Sequence, residues 1–288
     1  MARCSCAMGY TGVRMKADTA EVFEEVGETA TKLVRRTFVR GFEYLGELLI
    51  LLGRTVRAIW QEGIHPTDLV RQLTTVGTES VPIVLLTVGF SGAVLALYTV
   101  GSLTNLGIGN LLGGIVALSI VRETGPLITA VTLIARVGSG ITAEIGAMKT
   151  TEQVDALRAM GISPIAYLVV PRLLACLVMG PVTTLFGDAA GIFGGGLIAV
   201  NQGQTWHQYT DAFRQLMEPS GSDIFEGLLK ALVFGAIIAL IACREGLETK
   251  GGAAGVGRAT NRAVVFTIIL VFVADFILTW FFKAKSVV

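Results

Sequence analysis

The sequence has 288 residues, of which 52% are hydrophobic and only 16% are charged, and its mean hydropathy is +0.67. Soluble domains carry about 25% charged residues, so this composition excludes an ordinary soluble globule and indicates a membrane protein. The net charge of +1 gives no basic excess for binding nucleic acid. Glycine is frequent, at 35 residues, and proline is rare, at 7, which favours closely packed transmembrane helices over disorder.

Residues 1–30 are polar and small and lack the apolar core of a signal peptide, so we predict a disordered N-terminal tail. Met15 is an alternative start. Cys4 and Cys6 lie in this tail without a nearby histidine or a second cysteine pair, and we therefore predict no metal site. Cys176 and Cys243 lie in apolar runs and are expected to be buried.

Residues 31–64 contain the first patterned segment. Apolar side chains recur every three or four positions from Val34 to Ile59, while arginine and glutamate fall on the other faces. This asymmetry predicts an amphipathic helix that lies in the membrane interface rather than across the bilayer. A helix packed on the rest of the protein, with its polar face in solvent, is the alternative.

Five membrane spans are predicted from the apolar runs that follow. The 42 residues from Ser80 to Val121 include no charge and would form about 63 Å of helix, twice the hydrocarbon thickness. This run must therefore hold two spans, separated by the polar turn Gly101–Asn110. We predict an all-α membrane protein with spans at 81–100, 111–145, 164–200, 225–243 and 263–282.

The distribution of basic residues predicts the orientation. Ten lysines and arginines precede span one, two lie between spans two and three, and four lie between spans four and five. The turn between spans one and two has none, and the connection between spans three and four has only Arg214. Although Lys283 and Lys285 run against this trend, the balance places the N-terminus in the cytoplasm and the C-terminus outside.

The sequence contains no phosphate-binding G-x-x-x-x-G-K-[ST] loop, and no glycine is followed by lysine anywhere in it. His65 and His207 are far apart and form no ligand motif. No arrangement of nucleophile and base stands out, so we predict that the chain is not an enzyme and has no metal or cofactor of its own.

Four charged residues lie within span two, where each charge costs about 2.5–3.5 kcal/mol at the helix centre. Arg136 follows Arg122 by about four turns and Glu144 follows eight positions later, which predicts a polar line along one side. This line is either a substrate or gating path or an ion-pair network that holds helices together. Because neighbouring residues point about 100° apart, we predict that Glu123 helps to position span two near a pocket and that Arg122 anchors span two to another helix or to a phosphate.

Two single acids lie in later spans, Asp188 in span three and Asp275 in span five. They are interpreted as hydrogen-bonded helix contacts, with a proton relay as the alternative. A repeat of glycine every four residues in span three predicts a face that lets another helix approach closely, within the chain or from a second copy. Its members are Gly187, Gly191 and Gly195.

A short polar helix is predicted at residues 150–160, between spans two and three. Thr150 and Gln153 have the spacing of a capping box, and Gly161 supplies a stop. Such a helix either inserts into a groove on a soluble partner or is an ordinary interfacial turn. The polar residues that would serve the first role are Thr150, Thr151, Glu152, Gln153, Asp155 and Arg158.

Several motifs together resemble the MlaE/YrbE permease family, in their order over residues 65–283. The most specific are R-E-T-G-P at 122–126, A-R-V-G-S-G-I-T-A-E-I-G-A-M-K at 135–149 and T-E-Q-V-D-A-L-R-A-M-G at 151–161. P-R at 171–172, G-I-F-G-G at 191–195 and G-R-A-T-N-R at 257–262 also fit.

The resemblance implies the membrane subunit of an ATP-driven ABC transporter that moves phospholipid or a related lipid. It further implies two permease copies in the inner membrane and a cytoplasmic ATPase that binds ATP and magnesium and docks on helix 150–160. An MCE-domain lipid-binding protein would cover the other face and connect the complex to outer-membrane lipid homeostasis. The amphipathic segment at 31–64 would correspond to the family's N-terminal elbow helix.

A lipid pocket is expected between the two copies, against the apolar faces of spans one, two and five. Candidate wall residues are Leu85, Val88, Leu95 and Leu127. The alternative functions are an ion-coupled secondary carrier that uses Glu123, Asp188 and Asp275, and a purely structural membrane anchor. Five spans do not divide into two inverted repeats, and an anchor does not need charges in span two.

Overall fold

The computed structural model describes residues 41, 43–61, 63, 66–216 and 222–286. The predicted tail at 1–30 and the start of the predicted helix at 31–64 lie outside these residues. All five of the spans described below lie in one compact unit that begins at Leu51. The described residues contain no strand, and five of their helical segments are long and apolar enough to cross a membrane. The all-α fold with five spans is therefore confirmed.

We keep the names span one to span five for these segments. They are Pro66–Asn105, Leu112–Thr150, Ile165–Asn201, Ser222–Leu247 and Gly252–Ala284, and the last helix continues to Ser286. Two further helices are Gln153–Ala159 and Trp206–Leu216. Residues 43–61 are also helical. Spans one, four and five extend beyond their predicted bounds at both ends, and span two at its end, because helical hydrogen bonding continues into the polar flanks. Span three is shifted by only one residue. The predicted turn at Gly101–Asn110 is correspondingly shorter, since span one continues to Asn105.

Turns of π-helix interrupt the first three spans. They cover Thr74–Thr78 in span one, Ile120–Thr124 and Ile134–Gly138 in span two, and Ile165–Val169 at the start of span three. A π-turn contains more residues than the α-helical turn it replaces, so it rotates all following side chains around the helix axis. Hydropathy does not reveal such turns, and they change which residues share a face.

Spans two, three and four are the most buried, and spans one and five the least. Spans one and three pack closely because glycines face each other. A Cβ atom at Gly92 would lie 2.1 Å from the carbonyl oxygen of Gly191, and one at Gly194 would lie 2.2 Å from that of Gly89. The predicted glycine face of span three, including Gly187 and Gly195, therefore lies against spans one and two of the same chain.

Substitution of Gly92 by alanine should lower the free energy of unfolding by about 1–3 kcal/mol, because its methyl group would overlap the backbone of span three. Gly89 is the matched control in the same span. A Cβ atom there would make an ordinary contact, 3.6 Å from the nearest atom. Thermal unfolding of both alanine variants in the same detergent tests this, and equal melting temperatures would contradict the close approach at Gly92.

Candidate functional site: a buried lysine network

A buried lysine in span four joins three spans. Lys230 is 2% exposed, and its Nζ lies 2.7 Å from Oε2 of Glu123 and 3.1 Å from Oδ1 of Asp275. It donates hydrogen bonds to the hydroxyl of Thr279 at 2.8 Å and to the main-chain carbonyl of Arg122 at 3.0 Å. We call these groups the lysine network. It links span two, which supplies Glu123 and the carbonyl, to spans four and five.

One cation in this network faces two carboxylates. The hydroxyl of Thr279 accepts the hydrogen bond from Lys230 and donates one to Oε1 of Glu123 at 3.1 Å. The threonine therefore bridges the lysine and the carboxylate. Asp275 forms an ion pair with Lys230 through its buried Oδ1. The side chain of Glu123 is 44% exposed, so the network reaches the surface of the spans there.

The guanidinium of Arg122 binds the start of span four. Its Nε donates to Oδ1 of Asp223 at 2.9 Å and lies 3.9 Å from a carboxylate oxygen of Glu226. The side chain of Asp223 is almost fully buried. Span two is therefore attached to span four twice, through the side chain of Arg122 and through its carbonyl on Lys230. Of the two predicted roles of Arg122, the structure shows the contact with another helix.

The predicted polar line along span two is wrong. Arg122 contacts span four, whereas Arg136 binds span one, where it pairs with Glu79 and donates to the hydroxyl of Ser80 at 2.8 Å. Glu144 instead forms a 2.7 Å ion pair with Arg172, which is buried in span three. The physical reason is the two π-turns, which rotate the later part of span two away from the phase of a regular helix.

Cations from the spans also bind carbonyls within the π-turns. Lys230 donates to the carbonyl of Arg122, and Arg136 donates to that of Thr75 at 2.9 Å. Arg172 donates to that of Leu168 at 2.8 Å. All three acceptors lie in π-helical turns. Since an unpaired carbonyl in a membrane is costly, we interpret these cations as partners for the irregular backbone.

The two single acids differ in their surroundings. Asp188 is 6% exposed and packs against Gly125, where a Cβ atom would lie only 1.7 Å from its Oδ1. That oxygen has no hydrogen-bond partner among the described residues, so the predicted bonded helix contact is incomplete there. Asp275, in contrast, belongs to the lysine network.

Among the predicted pocket residues, Val88 is wrong as a wall residue. It is completely buried between spans one and three, because the glycines of span three admit span one so closely. Leu85 is exposed, and Leu95 and Leu127 are partly buried. The exposed face of span one includes apolar side chains at helical spacing, namely Ile83, Leu86, Phe90, Val94 and Leu97.

The short helix after span two is Gln153–Ala159, so it is shorter than predicted. The capping box is wrong: Thr150 ends span two, and its hydroxyl donates to the carbonyl of Ala147. Glu152 occupies the cap position with a φ of 61°, in the left-handed region that is unfavourable for residues other than glycine. Gly161, with a φ of 76°, ends the helix as predicted.

Asp155 attaches this short helix to span two. Its carboxylate accepts a 2.8 Å bond from Lys149 and a 2.9 Å bond from Arg158. The bond from Lys149 lowers the pKa of Asp155 below its ordinary range. Because the pKa falls on folding, this ion pair stabilises the fold above the unfolded pKa and is lost as pH falls through the lowered value. The attachment is therefore present at neutral pH.

Sequence reasoning missed Lys230 and Asp223, and it singled out Arg172 only as part of the P-R motif. Lys230 lies inside the apolar run of the predicted fourth span, so the insertion-cost argument used for Arg122 applies to it equally. Asp223 lies just before that predicted span. Cys176 and Cys243 are buried free thiols, as predicted, and the described residues contain no cluster of three metal-ligating side chains.

Comparisons with known proteins agree with this architecture. A family model described as "Permease MlaE" matches residues 69–281. A probable ABC transporter permease of Synechocystis is 40% identical over 244 residues, which cover 83% of this chain and 90% of that protein. One of Rickettsia prowazekii is 40% identical over 253 residues, with coverages of 87% and 97%. The "Intermembrane phospholipid transport system permease protein MlaE" of Haemophilus influenzae is 37% identical over 219 residues, with coverages of 75% and 82%.

Proposed function

Because the chain belongs to the MlaE permease family, we propose that it is the membrane subunit of an ATP-driven transporter that moves phospholipid. In this proposal two permease copies lie in the inner membrane with cytoplasmic N-termini. An ATPase partner binds ATP and magnesium, and an MCE-domain protein exchanges lipid on the other side. The name of the Haemophilus relative supports phospholipid as the cargo.

The lysine network is the observation that carries this proposal. Lys230 lies eight residues into span four, which places it about 12 Å from the start of that helix. The adjacent part of span five exposes Phe276 and Trp280 beside the partly buried Asp275 and Thr279. A phospholipid needs this combination, because its headgroup requires polar partners and its acyl chains require an apolar wall. Glu123, at the exposed side of the network, is the group that a headgroup would meet first.

The opposite end of the spans fits a coupling role. The turn between spans four and five lies beside the end of span two, since a Cβ atom at Gly146 would lie 2.9 Å from the hydroxyl of Thr249. The short helix therefore shares this end with several basic residues, as expected for the cytoplasmic side. The sequence has no phosphate-binding loop of its own, so ATP hydrolysis requires a partner.

An ion-coupled carrier is the second candidate. The buried Oδ1 of Asp188, which has no hydrogen-bond partner among the described residues, is the observation that favours it. A carboxyl in this position is a candidate proton carrier. The two mechanisms differ in their energy source, so a reconstituted assay separates them.

Purification in mild detergent after expression with the neighbouring genes, followed by mass spectrometry of proteins and lipids, tests the proposed function. We expect an ATPase, an MCE-domain protein and phospholipid to co-purify with the chain. Lipid transfer in reconstituted vesicles should require ATP and be insensitive to proton ionophores. Transfer that proceeds without ATP and collapses with the proton gradient would establish the carrier instead.

A further inference from the structure

A basic recess lies between the end of span four and the first turns of span five. It has a volume of about 600 Å³ and is lined by Leu247, Glu248, Lys250, Gly255, Arg258 and Arg262. Its size falls within the range of small-molecule sites, about 300–1,000 Å³. The lysine network does not include any of these residues.

Two of the three cations that line this recess have no acidic partner within the described residues. Neither Lys250 nor Arg258 makes an ion pair or side-chain hydrogen bond within the described residues. Arg262 pairs with Glu245 at 3.3 Å, and Glu248 pairs with Arg244 at 3.2 Å. Three cations thus line the recess with one acid that already has a partner, so it is suited to an anion.

The turn that carries Lys250 has a defined conformation. Gly251 and Gly252 have φ values of 91° and 63°, in the left-handed region that glycine adopts without strain. A Cβ atom at Gly255 would lie 2.0 Å from the carbonyl of Lys250, so only glycine permits this close approach. The turn therefore holds Lys250 beside the helix that presents Arg258 and Arg262, and little ordering is required when an anion binds.

The position of the recess indicates what kind of anion it takes. Arg262 directly precedes the apolar part of span five, so it lies at the level of the lipid headgroups. An exposed apolar stripe continues below it at helical spacing, formed by Val265, Ile269, Phe272, Val273 and Phe276. A polar recess for a phosphate that continues into an apolar stripe matches the two parts of a phospholipid. A free anion would use only the recess.

We propose that the basic recess binds the phosphate of an anionic phospholipid whose acyl chains lie along the exposed stripe of span five. The phosphate diester contacts Lys250, Arg258 and Arg262. The inference deepens the proposed function and rests on it for one point, the assignment of this leaflet to the cytoplasmic side. It adds a second lipid site, at the opposite end of the spans from the lysine network.

Native mass spectrometry of the purified full chain, titrated in neutral detergent with phosphatidylglycerol or phosphatidylcholine, tests this site. The wild type should bind phosphatidylglycerol more tightly than phosphatidylcholine. Arg258→Gln should weaken phosphatidylglycerol binding about fivefold, and Lys250→Gln combined with Arg258→Gln about 25-fold, because each basic residue near a membrane surface contributes about 1 kcal/mol. Arg71→Gln is the matched control, since Arg71 is also exposed and lies outside the recess.

Each other outcome overturns the inference in a recognisable way. Equal losses in Arg258→Gln and Arg71→Gln would show general surface electrostatics. Complete displacement of phosphatidylglycerol by millimolar inorganic phosphate would show a site for free phosphate. Unchanged phosphatidylglycerol binding in both recess variants would show that the recess does not hold lipid. The assay uses no ATP and no partner, so its failure is distinguishable from failure of the proposed transport function.

Discussion

Replacing Lys230 by methionine is expected to lower the free energy of unfolding by about 3–5 kcal/mol, the typical cost of breaking a buried ion pair from one side. The substitution keeps the length of the side chain but leaves Glu123 and Asp275 without the cation between them. It also removes the donor to the carbonyl of Arg122 in the π-turn. Thermal unfolding in detergent and the yield of protein in membranes measure this loss.

Lys149→Met is the control for the loss of a lysine charge. Lys149 pairs with Asp155 near the end of span two, where both side chains are partly exposed. Such a pair contributes at most about 1 kcal/mol, so the control should unfold close to the wild type. If Lys230→Met unfolded at the same temperature as this control, the lysine network would not hold the three spans together.

A triple variant separates the structural part of the lysine network from its functional part. Lys230→Met combined with Glu123→Gln and Asp275→Asn removes the cation together with both charges that it compensates. Replacing a buried ion pair entirely is often neutral, so most of the lost stability should return. Lipid transfer should remain impaired, because the headgroup partner proposed at Glu123 is changed. Full recovery of transfer would assign the network to structure alone.

The number and order of the spans were predictable because each span depends on the length of an apolar run in the sequence. A run without charges from Ser80 to Val121 is too long for one crossing, whatever its packing. The side chains that meet between spans were not predictable in the same way. Arg122 and Arg136 are in phase on a regular helix, and the π-turns at Ile120–Thr124 and Ile134–Gly138 separate them.

The close contacts depend on pairs of residues from different spans. The glycine spacing of span three predicted a close approach, but only the structure shows that Gly191 meets Gly92 of the same chain. That contact buries Val88 and removes it from the predicted pocket wall. Similarly, Thr150 has the right spacing for a helix cap, yet it is the last residue of span two, and its hydroxyl donates to the carbonyl of Ala147 in that helix. Local patterns identify candidates, and tertiary packing decides among them.

Reversing the charge of Glu152 should detach the ATPase partner while leaving the permease folded. Glu152 is exposed at the start of the short helix and makes no ion pair or side-chain hydrogen bond within the described residues, so Glu152→Lys breaks no internal contact shown by the structure. A like-charge contact across an interface costs several kcal/mol, so we expect ATPase binding to weaken by at least about tenfold. Co-purification of the ATPase and lipid-stimulated ATP hydrolysis measure the effect.

Asp155→Lys is a less selective probe of the same surface, because Asp155 also holds Lys149 and Arg158. Its reversal should both weaken docking and loosen the short helix from span two, whereas Glu152→Lys should affect docking alone. Asp211→Lys is the matched control, since Asp211 lies in the helix Trp206–Leu216, which connects spans three and four at the predicted opposite side of the membrane. If all three variants retained the ATPase and normal hydrolysis, residues 150–160 would be an ordinary interfacial turn, and the partner would have to dock elsewhere on the chain.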